Sequence, residues 1–451
     1  MRVKKGNIFV LISIIFLGAL TLIYGYRFFH YYLLEHNNKK TVEEKKVLYD
    51  KLISYETFDI TKEGLLRIDN KYIFMGKVTN NYLYYNGIIW RIVSVDFNKN
   101  IKLIADNSVS SMVWGVNSNY QSSYIRKWLN STNEEYTGIF NEILDSKSLI
   151  NMDNCIDQFD DIDNITCEDY YNDNIMLLSV HDYLLAGGKE SYLNIEKKWW
   201  LINTDSTNKA WHVTTDGGLS NIVNIDNNYY SYGIRPVITI NGDINLKAGN
   251  GSLESPFIIE EVNVEELVEV SVGTYIEFED YKWRVIAKEE DKIKVVMNDY
   301  IKDKGEYIEL PYSTASNIFS TEDKDNIGYY LNNDFIDSFE DSDYLKEGYW
   351  YIGNYNYENV FDYKNIFKEK IEAKVGLVHI GELFTNDIYD TFMITGTDEI
   401  NETIYKLTIN DELLADITTK SNKIRPALYL DSSLKIIEGT GNIDDPYIIS
   451  R

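Results

Sequence analysis

The hydrophobic pattern after residue 60 predicts strands followed by helices. Alternating and β-branched residues form two strand-like runs, Tyr82 to Asp96 and Ile101 to Asp106, and the pair Asn86-Gly87 inside the first run is typical of a tight hairpin turn. Hydrophobic residues then recur at helical spacing over Tyr124 to Leu129 and again over Tyr136 to Leu144. We therefore predict a β-hairpin or meander with two helices behind it.

A second block of the pattern continues the same fold. Ser179 and Asp182 have the spacing of a helix-capping box, with Asp in place of Glu, and predict a short helix over Val180 to Leu185. Hydrophobic runs at Trp199 to Ile202 and at Ala210 to Thr215 predict strands of an antiparallel sheet. Together the two blocks indicate the α+β class, with antiparallel sheets and short helices.

One long stretch of the sequence occurs twice. Gly233 to Ile259 reads GIRPVITINGDINLKAGNGSLESPFII, and Lys423 to Ile449 reads KIRPALYLDSSLKIIEGTGNIDDPYII, with no gap between them. A repeated terminal element indicates a repeated domain. The Trp-Arg strand returns at Tyr281 to Ile286, and we align the run Phe392 to Asp398 with Trp199 to Asp205.

The repeat divides the 451 residues into two modules behind an N-terminal segment, a division that the length alone also favours. The predicted organisation is a cytoplasmic tail at 1–7, a transmembrane signal anchor at 8–26, a juxtamembrane helix or stalk at 27–59, a first module at 60–260, a linker at 261–271 and a second module at 272–451.

The segment Ile8 to Tyr26 carries no charge and is dominated by Ile, Leu, Val and Phe. At about 1.5 Å per residue, a helix of this length crosses a hydrocarbon core of about 30 Å. A cleavable signal peptide is the rival interpretation, but its apolar region is shorter and ends at a small-x-small site, which we do not find. Arg2, Lys4 and Lys5 favour a cytoplasmic N-terminus. We predict a single-pass protein of the cell membrane with its bulk outside the cell.

The formal net charge of −27 makes nucleic acid an unfavourable partner, because an acidic surface repels phosphate backbones. The membrane, through the N-terminal helix, is the partner that the sequence itself indicates. A fraction of 44% hydrophobic and 14% aromatic residues is typical of a chain that folds. No motif predicts a cofactor or a metal.

An acidic loop at 151–174 has no counterpart in the second copy and holds Cys155 and Cys167. In an extracellular chain, two cysteines this close predict a disulfide, whereas a cytosolic location would predict free thiols. Calcium is an alternative occupant of the loop, through Asp157, Asp160, Asp161 and Asp163. The loop lacks the spacing of an EF-hand, so a solvated acidic loop is the first interpretation.

Several polar residues recur in both copies. A guanidinium beside apolar strand residues needs carboxylate or carbonyl partners, so we predict that these residues are structural and form Arg-Asp bridges between strands. The paired positions are Arg91 and Arg284, Arg235 and Arg425, Asp205 and Asp398, and Asp182 and Glu382.

Candidate ligand-binding residues are aromatic and belong to the first copy, namely Trp199, Trp200, Trp211 and His212. Neighbouring side chains of a strand point to opposite faces, so one of Trp199 and Trp200 would face outward and offer a stacking surface for a sugar or peptide. No catalytic residue is predicted, because no histidine recurs at a matched position and no GxSxG or HExxH motif is present.

The first copy resembles a domain family of unknown function that is common in surface proteins of Gram-positive bacteria. The residues that carry the resemblance are Trp90-Arg91, Trp128-Leu129-Asn130, Leu177-Leu178-Ser179, Trp199-Trp200-Leu201 and Gly233-Ile234-Arg235-Pro236. That family is similar to C-type-lectin-like folds, including the formylglycine-generating, sulfatase-modifying group. The resemblance implies two tandem lectin-like modules and an exported binding role. It brings no active site, because Cys155 and Cys167 lie in an acidic insertion rather than at the position of the catalytic cysteines.

Three functions follow as hypotheses. The first is a membrane-anchored extracellular protein that binds a glycan, a cell-wall polymer or another protein through its lectin-like modules. The second is a structural or assembly component of the cell envelope, which flat surfaces and self-association would favour. The third is an enzyme related to the formylglycine-generating fold, which would require a deep pocket with converging titratable groups.

Overall fold

The computed structural model describes residues 47–57, 63–130, 149–162, 165–225, 230–259, 264–355, 369–380, 382, 390–397, 402–408 and 412–450. The predicted anchor at Ile8 to Tyr26 and the predicted helix at Tyr136 to Leu144 lie outside these residues. Inside them, no helix combines the length and the hydropathy needed to cross a membrane. Strands are the main secondary structure of the described chain and the helices are few and short, which is consistent with the α+β class.

The first half forms its strands where the hydrophobic pattern predicted them. Asn86 and Gly87 both have positive φ, 48° and 69°, as a two-residue hairpin turn of type I′ requires. The strands of this half are β1 (Glu56–Thr57), β2 (Gly64–Ile68), β3 (Lys71–Met75), β4 (Tyr82–Tyr85), β5 (Ile88–Asp96), β6 (Asn100–Ala105), β7 (Ser110–Met112), β8 (Met152–Cys155), β9 (Tyr170–Asp173), β10 (Ile175–Met176), β11 (Trp199–Thr204), β12 (Lys209–Val213), β13 (Leu219–Asn224), β14 (Tyr232–Ile234), β15 (Val237–Asn241) and β16 (Phe257–Ile258).

The second half continues with strands that are also mostly short. They are β17 (Tyr275–Phe278), β18 (Tyr281–Lys288), β19 (Lys292–Met297), β20 (Lys302–Asp303), β21 (Glu306–Tyr307), β22 (Glu309–Pro311), β23 (Leu345–Lys346), β24 (Gly348–Tyr351), β25 (Asn354–Tyr355), β26 (Lys370–Ala373), β27 (Val375–Gly376), β28 (Thr391–Thr397), β29 (Thr403–Leu407), β30 (Leu413–Ile417), β31 (Ser421–Lys423), β32 (Ala427–Asp431), β33 (Lys435–Glu438) and β34 (Tyr447–Ser450).

The α-helices of the described chain are α1 (Leu48–Ile53), α2 (Tyr124–Asn130), α3 (Val180–Leu185) and α4 (Ile327–Tyr330). Helix α3 spans the predicted residues, and the Ser179 hydroxyl accepts a hydrogen bond from the Asp182 N–H at 3.0 Å. That bond satisfies one of the donors that a helix N-terminus leaves open.

Both halves build two sheets with the same strand order. In the first half, one sheet contains the path β16, β4, β5, β6, β15, β10, and the other has the order β13, β12, β11, β14, β7. In the second half, the corresponding paths are β34, β17, β18, β19, β32, β27 and β30, β29, β28, β31, β22. The prediction of antiparallel sheets is only partly correct. Four strand pairs are parallel, namely β11 with β14, β28 with β31, β4 with β16 and β17 with β34.

The repeated Arg-Pro dipeptide carries the chain from one sheet to the other, between β14 and β15 and again between β31 and β32. The Arg235 Nε donates to the carbonyl of Ala105 at 3.0 Å, and the Arg425 Nε donates to the carbonyl of Met297 at 2.8 Å. The proline N lacks a hydrogen, which suits a residue that leaves a ladder. The same side-chain bond therefore anchors both crossings.

The register of β28 corrects the predicted alignment of the two copies. Trp199 pairs with Gly233 in the first half, and Thr391 pairs with Lys423 in the second. Since Gly233 and Lys423 are aligned in the repeat, Trp199 corresponds to Thr391 and not to Phe392. The alignment slipped by one residue because the preceding loops differ in length and every residue of both strands is buried, which removes the alternation that would fix the register.

The slip changes the partner of Asp205, which corresponds to Thr397. Asp398 lies outside the described residues. The acidic loop also has more of a counterpart than predicted. Its flanking strands β8 and β9 form an antiparallel ribbon, and β24 and β26 form an equivalent ribbon just before β27. The two cysteines have no counterpart in the sequence of the second half.

Residues at the start of the described chain belong to the packed unit. Leu48 and Leu52 of α1 are fully buried, and the N–H of Leu48 donates to the carbonyl of Ile244 at 2.9 Å. Strand β1 pairs in parallel with β2. Residues 47–57 were predicted to form part of a stalk, but their hydrophobic face is covered by the first half, and the compact unit begins at Val47.

Cys155 and Cys167 form the predicted disulfide, with Cα atoms 5.5 Å apart. Closing a loop of 12 residues restricts the unfolded chain, so the Cys155→Ala/Cys167→Ala double variant should lower the free energy of unfolding by about 2–3 kcal/mol. Urea denaturation of the oxidised protein measures this loss. The wild-type protein under reductant is the control and should shift equally; an unchanged midpoint in both would refute a stabilising role.

Candidate ligand-binding cleft

A tyrosine and an arginine face each other across the first hairpin of each half. Tyr82 on β4 is directly opposite Arg91 on β5, and Tyr275 on β17 is directly opposite Arg284 on β18. Opposite residues of an antiparallel pair have Cβ atoms about 5 Å apart, so the guanidinium reaches the phenol ring. The guanidinium carbon lies 3.7 Å from the ring centroid in the first pair and 5.3 Å in the second.

Arg91 is fixed on all sides and is a structural residue. Its Nε donates to the Asn81 Oδ1 at 2.8 Å, its Nη2 donates to the Val78 carbonyl at 2.7 Å, and its Nη1 lies 3.6 Å from the Asp106 carboxylate. The side chain is buried between the rings of Tyr82 and Tyr192. Its carboxylate partner, Asp106, is not one of the acidic residues that recur in both copies.

Arg284 occupies the same place in the second half but has lost these partners. It is only partly buried, and its Nη1 donates to the Tyr275 hydroxyl at 3.2 Å. Asn298 stands where the first half has Asp106, and among the described residues no carboxylate lies within ion-pair distance of Arg284. Its positive charge is therefore available to a ligand.

Arg284 lines a cleft of about 820 Å³ between the two halves of the packed unit. This volume is typical of sites that hold small organic ligands. Equivalent segments of both halves form its walls, which contain Tyr84, Gly87, Ile89, Asn107, Ala248, Gly249, Leu253, Glu254, Ser255, Pro256 and Ile258 from the first half and Tyr275, Arg284, Asn298, Asp299, Tyr300, Tyr307, Gly441, Asn442, Ile443, Asp444 and Asp445 from the second.

Exposed apolar side chains line this cleft beside polar groups. Leu253 and Ile443, at equivalent places in the two Gly-x-Gly turns, are exposed, as is Tyr307. Glu254 and Asp444, also equivalent, add carboxylates. Flat aromatic and aliphatic surfaces next to planar hydrogen-bonding groups can hold the faces and hydroxyls of a sugar.

Direct contacts hold the two halves together beside the cleft. The backbone at Gly87 approaches Gly273 so closely that a Cβ on Gly87 would lie 2.4 Å from the Val272 carbonyl oxygen. On another side, the Lys198 ammonium lies 2.7 Å from the Glu412 carboxylate. The walls of the cleft are thus fixed by the fold rather than by one flexible connection.

The structure also contains an ion pair that occurs in both halves, largely buried in the first and fully buried in the second, and that the sequence did not reveal. Lys102 on β6 lies 2.8 Å from Asp182, and Lys294 on β19 lies 2.5 Å from Glu382. Burial would raise the pKa of Asp182, but Lys102 and Lys71 outweigh it and hold the pKa well below its usual range. A lysine at the same register of a buried strand in both copies was the available signal. These pairs lie away from the cleft and stabilise each half.

The aromatic candidates of the first half are not a binding surface. Trp199, Trp200, Trp211 and His212 are all at most 5% exposed, so the prediction that Trp199 or Trp200 faces outward is wrong. Strand β11 lies in the middle of its sheet and is covered on both faces, by Tyr183 on the side of Trp199 and by Tyr232 on the side of Trp200. The indole N–H groups of Trp200 and Trp211 donate to backbone carbonyls.

The other paired polar residues have structural contacts, but not the predicted ones. Arg235 donates to the carbonyls of Ala105 and Leu193, and its guanidinium lies over the ring of Trp199. Asp205 accepts the N–H groups of Thr207 and Lys209, which closes the turn between β11 and β12. No Arg235–Asp205 bridge forms, because each residue finds backbone partners nearer to it.

The described histidines lie outside the lining of the cleft. Burial lowers the pKa of His212 and of His379 to about 4, so both are neutral near pH 7. His181 is 3.9 Å from Asp182. The described lining contains carboxylates, tyrosines and one arginine, a set that can bind and orient a polar ligand.

Of the described residues, Cys155, Asp157 and Cys167 bring three metal-ligand atoms within 4.8 Å of one another. Both sulfurs belong to the disulfide and cannot act as thiolate ligands. The Asp157 carboxylate instead accepts the N–H groups of Glu168 and Asp169, both at 3.0 Å, and so closes the loop. This cluster is structural.

Comparison of the chain with protein-family models, with curated proteins and with solved structures found no match. Its function is therefore argued from the cleft and from the two halves that form it.

Proposed function

We propose that this chain is a membrane-anchored extracellular binding protein with two tandem C-type-lectin-like modules, and that it binds a glycan, including a glycan of the cell wall, in the cleft between them. The observation that carries the proposal is the cleft itself, where exposed apolar and tyrosine side chains surround an arginine without a carboxylate partner. The first half seals the equivalent arginine inside its core. Because Arg284 lacks the structural partners of Arg91, its guanidinium is available to bind a ligand.

Two features support the location. A disulfide is stable in an oxidising compartment, so Cys155 and Cys167 favour the outside of the cell. The uncharged segment Ile8 to Tyr26, preceded by basic residues, would hold the N-terminus in the membrane. The resemblance to surface-protein domains with lectin-like folds agrees with both.

A binding role also fits the chemistry of the cleft better than a purely structural role. A spacer would present flat surfaces, whereas this cleft is concave and exposes Leu253, Ile443 and Tyr307 to solvent. Exposed apolar groups gathered in a cavity favour contact with a ligand. The guanidinium of Arg284 can donate several hydrogen bonds to the hydroxyls or carboxylate of a sugar.

The test is binding of the full-length chain, in detergent, to an array of bacterial cell-wall glycans. The Arg284→Ala variant should weaken binding about tenfold, which is the usual effect of losing a charge-assisted hydrogen bond. Arg67→Ala is the matched control, because the Arg67 guanidinium also lies over an aromatic ring, 4.8 Å from Phe97, but outside the cleft.

Unchanged affinity in Arg284→Ala would contradict the proposal, as would the absence of any glycan ligand. If the glycan array stays blank while the chain self-associates in solution, the role of an envelope assembly component would take its place. Affinity for a protein of the cell surface that Arg284→Ala weakens would keep the cleft but change the class of its ligand.

A further inference from the structure

A second groove lies on the second half, beside β29 and β31 and next to the Arg-Pro crossing that follows Lys423. It has a volume of about 450 Å³. Its lining is rich in lysine, although the chain as a whole carries a charge of −27. The residues around it are Tyr300, Glu309, Asp390, Lys406, Lys420, Ser421, Asn422 and Lys423.

The corrected register shows what the first half has at the same places. Lys406, Lys420, Asn422 and Lys423 correspond to His212, Tyr230, Tyr232 and Gly233, by strand pairing and by the aligned Arg-Pro dipeptides. In the first half three of these residues carry rings that pack together, with the centroids of His212 and Tyr232 4.7 Å apart and those of Tyr230 and Tyr232 6.2 Å apart. The second half has two lysines and an amide in place of these three rings, and a third lysine in place of the glycine.

Two of the three lysines have carboxylate partners. Lys406 and Lys420 share Asp416, at 3.2 Å and 3.1 Å, and Lys406 is also 3.4 Å from Asp390. Burial acts to raise the pKa of Asp416, yet hydrogen bonds from Lys420 and Lys406 lower it overall. Asp416 is thus a fixed anion that positions two ammonium groups at the groove.

Lys423 differs from the other two lysines. Its ammonium lies 4.5 Å from the centroid of Tyr307 and 5.0 Å from that of Tyr300. Among the described residues, no carboxylate is within ion-pair distance of it. Two rings orient this cation without neutralising it.

Asn422 supplies an independent sign of a ligand. Its side chain is 93% buried, and its Nδ2 has no hydrogen-bond partner among the described residues. A buried donor without an acceptor is costly, and native structures contain few of them. An acceptor in the groove would satisfy this amide together with the neighbouring ammonium groups.

We propose that this groove binds a phosphate group, as carried by a phosphodiester-linked polymer. Three ammonium groups and an amide N–H converge from β29, from β31 and from the turn before β31, which suits the several acceptor oxygens of a phosphate, and lysine binds phosphate as a point charge. The groove adjoins the cleft, with which it shares Tyr300, but the inference does not depend on the function proposed for that cleft.

The test is calorimetric titration of the full-length chain, in detergent, with poly(glycerol phosphate) and, separately, with inorganic phosphate. Lys423→Gln and Asn422→Leu should each weaken binding of the polymer about tenfold. Asn422→Leu removes an unsatisfied amide, so it should fold at least as well as the wild type. Lys99→Gln, which removes an exposed lysine paired with Asp243 in the first half, should bind as the wild type does.

Two further arms separate the possible results. Arg284→Ala should leave phosphate binding unchanged, which distinguishes this groove from the cleft. Binding of the polymer alone assigns a phosphodiester, and binding of both probes assigns a phosphate group in general. Failure of both probes to bind, wild-type affinity in Lys423→Gln, or equal affinity for the carboxylate polymer polygalacturonate would overturn the proposal.

Discussion

Replacing Glu382 by glutamine is expected to lower the free energy of unfolding by about 3–5 kcal/mol, because it leaves a buried ammonium without its counter-ion. The side chains of Lys294 and Glu382 are each 6% exposed, with 2.5 Å between the charged atoms. The Glu382 carboxylate also accepts the N–H of His379 at 2.8 Å. A neutral amide keeps the shape of the side chain but not its charge.

A comparison of single and double variants isolates the cause. Lys294→Met/Glu382→Leu removes both charges and should recover most of the stability that Glu382→Gln loses, since a well-packed apolar pair can replace a buried ion pair. Asp243→Asn breaks the exposed pair with Lys99 and should cost less than about 1 kcal/mol. Chemical denaturation measures all three; an equal loss in Glu382→Gln and Asp243→Asn would show that burial is irrelevant.

The pH dependence follows from the direction of the shifts. Burial acts to raise the pKa of Glu382, but Lys294 outweighs it and the folded pKa lies below the usual value of 4.5. The pair therefore stabilises the wild type fully above about pH 4.5 and loses this contribution as the pH falls through the folded pKa. Burial also lowers the pKa of His379 to about 4, so the wild type already loses stability as the pH falls below 6.5. The difference between wild type and Glu382→Gln should shrink only below pH 4.5.

Features that depend on neighbouring residues were predictable from the sequence. The Asn86-Gly87 turn and helix α3 follow from local backbone chemistry, and the repeat follows from the alignment of the chain with itself. The register of β28 was not predictable, because a strand that is buried on both faces lacks the alternation that would fix it. The same burial hid the orientation of Trp199 and Trp200, since their strand has no solvent face.

The two proposed binding sites could not be predicted from the sequence, because both depend on tertiary contacts. Arg284 looked like a copy of Arg91, and only the contacts show that Asn298 has replaced the carboxylate of Asp106. The cleft depends on how the two halves meet, which no local pattern encodes. The sequence shows Lys420, Asn422 and Lys423 close together along the chain. That they form a groove with Lys406 could be recognised only from the strand register.

A substitution in the repeated Gly-x-Gly turn is expected to lower the free energy of unfolding by a similarly large amount. Gly439 has φ of +94°, and a Cβ there would lie 2.0 Å from the Pro446 carbonyl oxygen; Gly249 of the first half has φ of +91° and the same collision with Pro256, at 1.8 Å. Both the backbone conformation and the space exclude a side chain. Gly439→Ala should therefore cost about 4 kcal/mol or more, at the upper end of single substitutions.

Gly305 separates the two causes in this effect. Its φ of +89° is nearly that of Gly439, but no atom lies within 4 Å of the position of its Cβ. Gly305→Ala should cost only the left-handed conformation, about 1–2 kcal/mol. The excess loss in Gly439→Ala, read from denaturation midpoints, measures the collision with Pro446. Because the same turn places Ile443 and Asp444 in the cleft, Gly439→Ala should also weaken glycan binding. Equal losses in the two variants would mean that the turn can move away from Pro446, and the cleft would then not be fixed by it.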